Sequence, residues 1–325
     1  MNFAMPSSEW LGLLESEYLG SFIHDGGSSI KFAVPMGNEH EDTIALSEEI
    51  RARAKRLGFV VAHVDAAITR VHMIDQLFYA VAEQIPWQET VERVVRDLAD
   101  GEGYAPAPAG DGPLFRRLAV ANDLDPDYLL MEFRKKIATQ IFRNTKLAKD
   151  FRVAMTQLVR ASLGDPQEAA TVFGVLTDWL CGRNRAVSAV KPYGIYCRIS
   201  RANARYLFES LLAWLSLAGY SGLTLTLDIG RISIAKNPRD GHLYYTKAGV
   251  LDAYELLRQF IDGSDHLENC LIVVVPGLEF LDEDVLGRGI GAYDALKLRV
   301  YDEVRDRTIV NPMSSLVRLT TTRGA

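Results

Sequence analysis

The sequence has few cysteines and no excess of positive charge. Its three cysteines, Cys181, Cys197 and Cys270, are far apart and have no histidine at ligand spacing, which argues against a zinc site and a disulfide framework. The net charge of −6 and the isoelectric point near 5.6 disfavour a chain-wide electrostatic attraction to nucleic acid, although they allow a local basic face. We therefore expect isolated buried thiols and no bound metal.

Membrane and secretion signals are also missing from the sequence pattern. No stretch is continuously apolar over about 18 residues, and the first residues, MNFAMPSSEWLGLLESEYL, carry acids where a signal peptide has a basic start. We therefore expect a cytoplasmic protein without a membrane partner. The hydrolase motifs G-x-S-x-G and H-E-x-x-H are absent too, which leaves those enzyme classes without support.

Short apolar segments alternate with amphipathic ones along the chain. SIKFAV, FVVAHVDA, LTLTLDIG and NCLIVVV are typical of buried strands, and helical patterns separate them. This alternation predicts an α/β fold with a mostly parallel sheet flanked by helices. We expect residues 1–100 to form the first part of the α/β core, residues 101–195 a mainly helical insertion, and residues 196–325 the second part of the core with a C-terminal helix.

The segment VPMGNEHEDTIAL lies between the first of these strands and a helix predicted from Thr43. A phosphate loop, G-x-x-x-x-G-K-[ST], would lie at this place, because glycine N–H groups cradle the phosphates and the lysine neutralises them. With Thr43 at the hydroxyl position, Met36, Glu41 and Asp42 stand where the two glycines and the lysine belong, and Gly37 is the one glycine left. Asp42 reverses a charge beside the phosphates, so we expect no ordinary binding of Mg-ATP.

Two alternatives remain open for this segment. Its acids can be an ordinary helix start, since negative side chains stabilise the amino end of a helix. The segment can also be a non-standard phosphate loop of an ATP-binding protein, with magnesium bound and a lysine supplied from elsewhere, such as Lys31 or Lys236.

A second defective motif follows in GLTLTLDIG. Asp228 ends the predicted strand, where an ATPase would use an aspartate to hold the magnesium shell. Ile229 stands where the glutamate that activates water would follow. The two defective elements occur in the right order and support each other.

These segments resemble the ATP-binding proteins of BREX-type bacterial phage defence, in particular the P-loop proteins similar to the D component of those systems. The resemblance lies in GSSIKFAV and RAKRLGFVVAHVDA, in ISRANARYLFESLLAWLSLAGYSGLTLTLDIGRI, and in AYDALKLRVYDEVRDRTIVNPMSSLVRL. It implies a P-loop NTPase fold of the AAA+-like kind, in which the loop lysine corresponds to Asp42, its glycine to Glu41 and the catalytic glutamate to Ile229.

The resemblance also implies partners, namely other proteins of a defence locus, with an active P-loop paralogue as one candidate. We therefore expect a catalytically inactive ATPase homologue without a cofactor that serves as a structural or regulatory subunit. Arg305 and Arg307 are candidates for an arginine finger that completes a neighbour's active site, although surface ion pairs also explain arginines that alternate with acids.

A basic stretch, FRKKIATQIFRNTK, is the candidate for contact with DNA. Arg134, Lys135, Arg143 and Lys146 are predicted to share part of one helix face, with aromatic residues nearby. A solvated helix face explains the same pattern. DNA binding therefore remains a further alternative function.

Overall fold

The computed structural model describes residues 4–37, 39–101, 103–107, 112–282, 287–301 and 311–320. Its strands are β1 (Met5–Pro6), β2 (Ser28–Pro35), β3 (Val60–Asp65), β4 (Leu223–Asp228), β5 (Cys270–Val275) and β6 (Leu316–Thr320). Its α-helices are α1 (Ser7–Leu13), α2 (Glu39–Arg56), α3 (Ile74–Ala82), α4 (Trp87–Asp100), α5 (Leu114–Ala121), α6 (Pro126–Ile137), α7 (Lys149–Leu163), α8 (Pro166–Leu180), α9 (Val187–Val190), α10 (Ala204–Leu217), α11 (Lys247–Asp262) and α12 (Asp294–Val300). π-Helical turns at Leu14–Phe22 and Ala138–Phe142 extend α1 and α6.

The strands form one parallel sheet in the order β1-β6-β2-β5-β4-β3. This arrangement confirms the predicted α/β class and is consistent with a P-loop NTPase-like fold. β2 lies between β5 and β6, while β4 pairs with β5 on one side and β3 on the other. Because all strands run in one direction, their carboxyl ends lie along one edge, where open α/β sheets bind ligands.

Both faces of the sheet are covered, which explains why its strands are almost wholly apolar. On one face Trp10 of α1 and Ile50 of α2 belong to a buried cluster that includes Val273 of β5. Elsewhere in the core Phe32 of β2 stacks on Phe280 with ring centroids 5.6 Å apart, and Tyr254 of α11 meets Phe280 edge on. Burial of these large side chains supplies most of the stability of the sheet.

The chain divides into two compact units. One comprises residues 1–84 and 221–325 and contains the sheet, and the other comprises residues 85–220. We call them the α/β unit and the helical unit. The helical unit starts earlier and ends later than the insertion predicted at 101–195, because α4 and α10 share its core. There Trp214 donates to the Thr90 hydroxyl at 3.0 Å, and that hydroxyl donates to the Trp87 carbonyl at 2.8 Å.

Candidate nucleotide site

The turn between β2 and α2 is too short for a phosphate loop. β2 ends at Pro35 and α2 begins at Glu39, so that three residues connect them. The helix predicted from Thr43 thus starts four residues earlier. In a phosphate loop the backbone N–H groups before the lysine converge on the ligand. Here Glu41, at the position of the second glycine, is already helical.

Sequence explains this early helix start. Acidic side chains stabilise the first turn of a helix because they complement its dipole, and the first turn of α2 contains Glu41 and Asp42. Met36 is held to the neighbouring strand, since its N–H donates to the Leu319 carbonyl at 2.8 Å. Gly37 is exposed. The acids therefore belong to a helix, which agrees with the alternative that this segment is an ordinary acidic helix start.

Asp42 and Thr43 face the protein interior. Their exposed fractions are 4% and 7%, whereas Glu41 is exposed. Asp42 lines a cavity of about 80 Å³ together with Ser7, Pro35, Ala45 and other residues of the α/β unit. Cavities that bind a small molecule have volumes of about 300–1,000 Å³. The space beside Asp42 is therefore too small for a nucleotide.

Asp228 closes a turn at the end of β4. Its Oδ1 accepts a hydrogen bond from the Gly230 N–H at 2.9 Å. Ile229 is 1% exposed, and its N–H donates to the Val275 carbonyl at 2.9 Å, so that its side chain lies in the core. A glutamate here would place a charge in an apolar interior. Ile229, which the resemblance aligns with the catalytic glutamate, is therefore a core residue.

Asp65 is a second strand-end aspartate at the same edge, which sequence analysis did not single out. It is the register partner of Asp228 in the neighbouring strand. Its Oδ1 accepts the Ala67 N–H at 2.7 Å, so each aspartate stabilises the turn that follows its own strand. The sequence contains the pattern that identifies Asp65, since the strands in FVVAHVDA and LTLTLDIG each end in an aspartate.

The segments after β3 and β4 cross this edge and are tied together. Tyr245 donates through its hydroxyl to the Thr69 carbonyl at 2.7 Å, and burial raises the pKa of Tyr245 to about 12. Leu243 donates its N–H to the Ala67 carbonyl at 2.8 Å. Arg231 donates to the Leu243 carbonyl and to both oxygens of Asp240. Polar groups near Asp65 and Asp228 therefore serve the structure of these segments.

Two arginines described in the C-terminal part form hydrogen bonds or ion pairs with other residues of the α/β unit. Arg288 is 4% exposed and donates to the carbonyls of Ile232 and Tyr245, at 3.3 and 3.0 Å, and to the Tyr244 hydroxyl at 2.8 Å. Arg299 pairs with Asp262. The predicted finger candidates, Arg305 and Arg307, lie outside the described residues.

Lysines that could replace the missing loop lysine lie in different places. Lys31 is four residues before the end of β2, about 13 Å from the edge at the usual rise per strand residue. Its amine donates to the Tyr18 hydroxyl and the Met313 carbonyl, each at 2.6 Å, and burial lowers its pKa to about 8. Lys236 is exposed in the segment after β4. Of these two lysines, Lys31 is therefore a structural residue, whereas Lys236 is open to solvent.

The candidate DNA-contacting residues lie in the helical unit and are exposed, but they do not form one helix face. Arg134 and Lys135 are in the last turn of α6, whereas Arg143 follows the π-helical turn that ends at Phe142. Lys146 lies in the connection to α7. The predicted common face is therefore split between a helix end and the turn that follows.

The described part of the chain has neither a metal-binding cluster nor a membrane-spanning helix. No three histidine, cysteine, aspartate or glutamate side chains there come together to hold a metal ion. Each described helix is too short or too polar to span a bilayer. The thiols of Cys181 and Cys270 are buried, while that of Cys197 is half-buried.

Comparison with known families gives one match. Residues 119–323, more than half of the chain, match the family model of the BREX system ATP-binding protein BrxC/D. The matched range includes Asp228 and most of the helical unit, and it begins after residues 36–43. Comparisons with curated proteins and with solved structures gave no match.

Proposed function

The chain belongs to the BREX system ATP-binding protein family BrxC/D, and we propose that it is a member without ATPase activity that acts as a structural or regulatory subunit. Family membership makes it a component of a phage-defence system. Its partners would then be other proteins of that system, with an active P-loop paralogue as one candidate. The α/β unit would contribute its shape to the complex and would need neither ATP nor magnesium.

The observation that carries this function is the position of Asp42. The sequence resemblance makes it the counterpart of the family's loop lysine, and it lies inside the first turn of a helix, buried beside a cavity of about 80 Å³. A phosphate group placed there would meet a carboxylate in a partly desolvated site, where repulsion between like charges exceeds the roughly 1 kcal/mol available from a helix dipole. The negative charge of Asp42 and the small volume of the cavity both support a loss of phosphate binding.

The state of Ile229 supports loss of hydrolysis independently. Even a nucleotide bound by other contacts would lack a general base at the end of β4, because Ile229 is apolar and buried. Asp228 still has its carboxylate at the edge, but one of its oxygens accepts the Gly230 N–H. Binding and catalysis are thus impaired by separate changes.

Steady-state ATP hydrolysis with magnesium tests this function. We expect the full chain and its Asp228→Ala variant to release phosphate at the same background rate. Turnover that disappears in Asp228→Ala would overturn the proposal. Hydrolysis should also stay at background when the purified chain is mixed with proteins from its own operon that lack an intact phosphate loop.

Nucleotide binding through a non-standard loop is the competing function, and the exposed position of Lys236 keeps it open. Titration of the wild type and of Lys236→Ala with Mg-ATP separates the two. Binding that is lost in Lys236→Ala would favour the competing function. No heat of binding in either protein at millimolar nucleotide supports the inactive subunit.

A further inference from the structure

Charge is strongly segregated within the helical unit. Residues 134–205 contain 14 lysines and arginines but four aspartates and glutamates, a net charge of +10. Residues 85–133 of the same unit contain four basic and ten acidic residues, a net charge of −6. An acidic protein therefore contains a stretch whose charge suits a polyanion.

Large aromatic side chains are exposed in this basic stretch and directly after it. Tyr196, Tyr206 and Phe142 are 65%, 62% and 52% exposed. A single exposed aromatic residue needs no explanation, because much of a protein surface is apolar. Three of them beside arginines and lysines have the composition of surfaces that bind single-stranded nucleic acid, where bases stack on aromatic rings and cations follow the backbone.

The structure brings Lys146 and Tyr206 together although 60 positions separate them along the chain. Both line one open cavity of about 320 Å³, between the turn before α7 and the first half of α10. The turn is held in place by the Ala148 N–H, which donates to the Ser210 hydroxyl at 2.7 Å. A cation and an aromatic ring thus flank the same concave surface.

A contact of Cys197 connects the segment that contains Tyr196 and Arg198 to a residue of this cavity. The Cys197 thiol donates to Oδ2 of Asp150, which lines the same cavity, with 2.8 Å between sulfur and oxygen. Burial, with help from the Asp150 carboxylate, raises the pKa of that thiol to about 11, so it stays protonated and continues to donate. Tyr196 and Arg198, the neighbours of Cys197, are both exposed beside this contact.

Acidic groups at the cavity are already bonded. Asp150 accepts a hydrogen bond from the Cys197 thiol. Glu209 forms an ion pair at 3.4 Å with Arg205, one turn earlier in α10. Arg205 therefore offsets the charge of Glu209, while the Cys197 thiol is a neutral partner of Asp150. Among the exposed charged side chains of residues 134–205 most are basic.

We propose that this surface binds single-stranded nucleic acid. Bases would stack on Tyr196 and Tyr206, while Arg143, Lys146 and Arg198 would neutralise phosphates. We call these five residues the aromatic-basic surface. It keeps Arg143 and Lys146 from the sequence prediction, adds residues that are distant in sequence, and does not depend on the loss of ATPase activity.

A single strand fits this surface better than a duplex. Aromatic rings stack on unpaired bases, whereas a duplex hides the faces of its bases and offers phosphates to a flat surface. The side chains lie on turns and at a helix start, and no described helix presents them in a row for a major groove.

Fluorescence anisotropy with a labelled oligothymidine of about 20 nucleotides tests the proposal, with a duplex of the same length as competitor. We expect the single strand to bind more tightly and to lose affinity as salt rises, with a log–log slope of about −2 for three phosphate contacts. Tyr206→Ala and Tyr196→Ala should each weaken binding about tenfold. Tyr206→Phe should keep most of the affinity, because it keeps the ring.

Matched controls are available in the acidic half of the helical unit. Tyr128 is 50% exposed among acids, and Arg116 is exposed on α5, so Tyr128→Ala and Arg116→Ala should leave binding unchanged. Circular dichroism melts of every variant show whether the fold is kept. Equal affinity for duplex and single strand, or unchanged binding in Tyr206→Ala, would overturn the proposal, as would polyglutamate competing as well as the oligonucleotide.

Discussion

The two units of the chain use their polar side chains differently. In the α/β unit the polar groups near the carboxyl edge of the sheet are bonded to its own backbone, as Asp65, Asp228, Arg231 and Arg288 show. In the helical unit most cations of residues 134–205 and the rings of Phe142 and Tyr196 are exposed. The α/β unit has a net charge of −9, from 18 basic and 27 acidic residues, and the helical unit has +3, from 18 and 15. Polar groups at the sheet edge thus serve the fold of the α/β unit, whereas the exposed charges of residues 134–205 are the ones that the proposed surface would use.

Arg288→Ala should have the largest effect on stability and would test whether edge groups are structural. The change removes a buried cation and leaves the carbonyls of Ile232 and Tyr245 without a donor. We expect the free energy of unfolding in urea to fall by about 3 kcal/mol. Lys236→Ala, at an exposed cation of the same unit, should change it by less than about 0.5 kcal/mol. An equal loss of unfolding free energy in the two variants would contradict the structural role of Arg288.

Lys31 makes stability depend on pH in the alkaline range. Its pKa is about 8 in the folded chain, where burial disfavours the charged amine, and near 10.5 when unfolded. Between these values the unfolded chain binds more protons, so stability should rise with pH, by about 2 kcal/mol from pH 8 to about pH 9.5. Tyr18, which Lys31 contacts, has a raised pKa and stays neutral there.

Urea unfolding at several pH values measures this dependence, with Lys31→Met as the comparison. The variant has no amine to titrate, so its stability should rise less over the same range. A wild type and a variant with parallel pH profiles would show that Lys31 is not desolvated in solution.

Asp228→Ala and Asp65→Ala should have similar and smaller effects. Each removes one carboxylate that accepts a backbone N–H in the turn after its strand, so we expect a loss of about 1 kcal/mol in either case. Thermal unfolding measured by calorimetry would detect it. An Asp228 variant that is fully stable while its nucleotide response changes would give the carboxylate a ligand-binding role instead.

Substitutions on the aromatic-basic surface should have the smallest effect on stability. Tyr196 and Tyr206 are mostly exposed, so Tyr→Ala at either position should change the free energy of unfolding by less than about 0.5 kcal/mol. Their effect should be confined to oligonucleotide binding. A loss of several kcal/mol would show that these rings serve the fold, as the edge groups of the α/β unit do.

Sequence patterns predicted β2, β3, β4 and β5 because buried parallel strands are continuous apolar runs. They missed β6, Leu316–Thr320, since SLVRLT is short and contains a cation, and they missed the two-residue β1. The helix start predicted at Thr43 is wrong, because acids before Thr43 favour a helix and α2 begins at Glu39. Lengths and register of such turns depend on tertiary contacts, such as that of Met36 with Leu319.

Within the candidate sites, residue identity was easier to predict than position. The prediction that Asp42 and Ile229 do not suit ATP depends on their side-chain chemistry alone, and it stays a prediction. Burial of Lys31 and Arg288, and the meeting of Lys146 with Tyr206, depend on residues far away in sequence, which no local pattern records. The four predicted basic residues were therefore only a part of the surface that the fold assembles.

Calorimetric titration of the intact chain with ATP in the presence of magnesium tests the central claim most directly. With Asp42 buried in a helix where a lysine should stand, we predict no binding heat up to millimolar nucleotide and an unchanged melting temperature. Saturable binding at micromolar nucleotide, accompanied by a rise in melting temperature, would contradict the loss of the phosphate site.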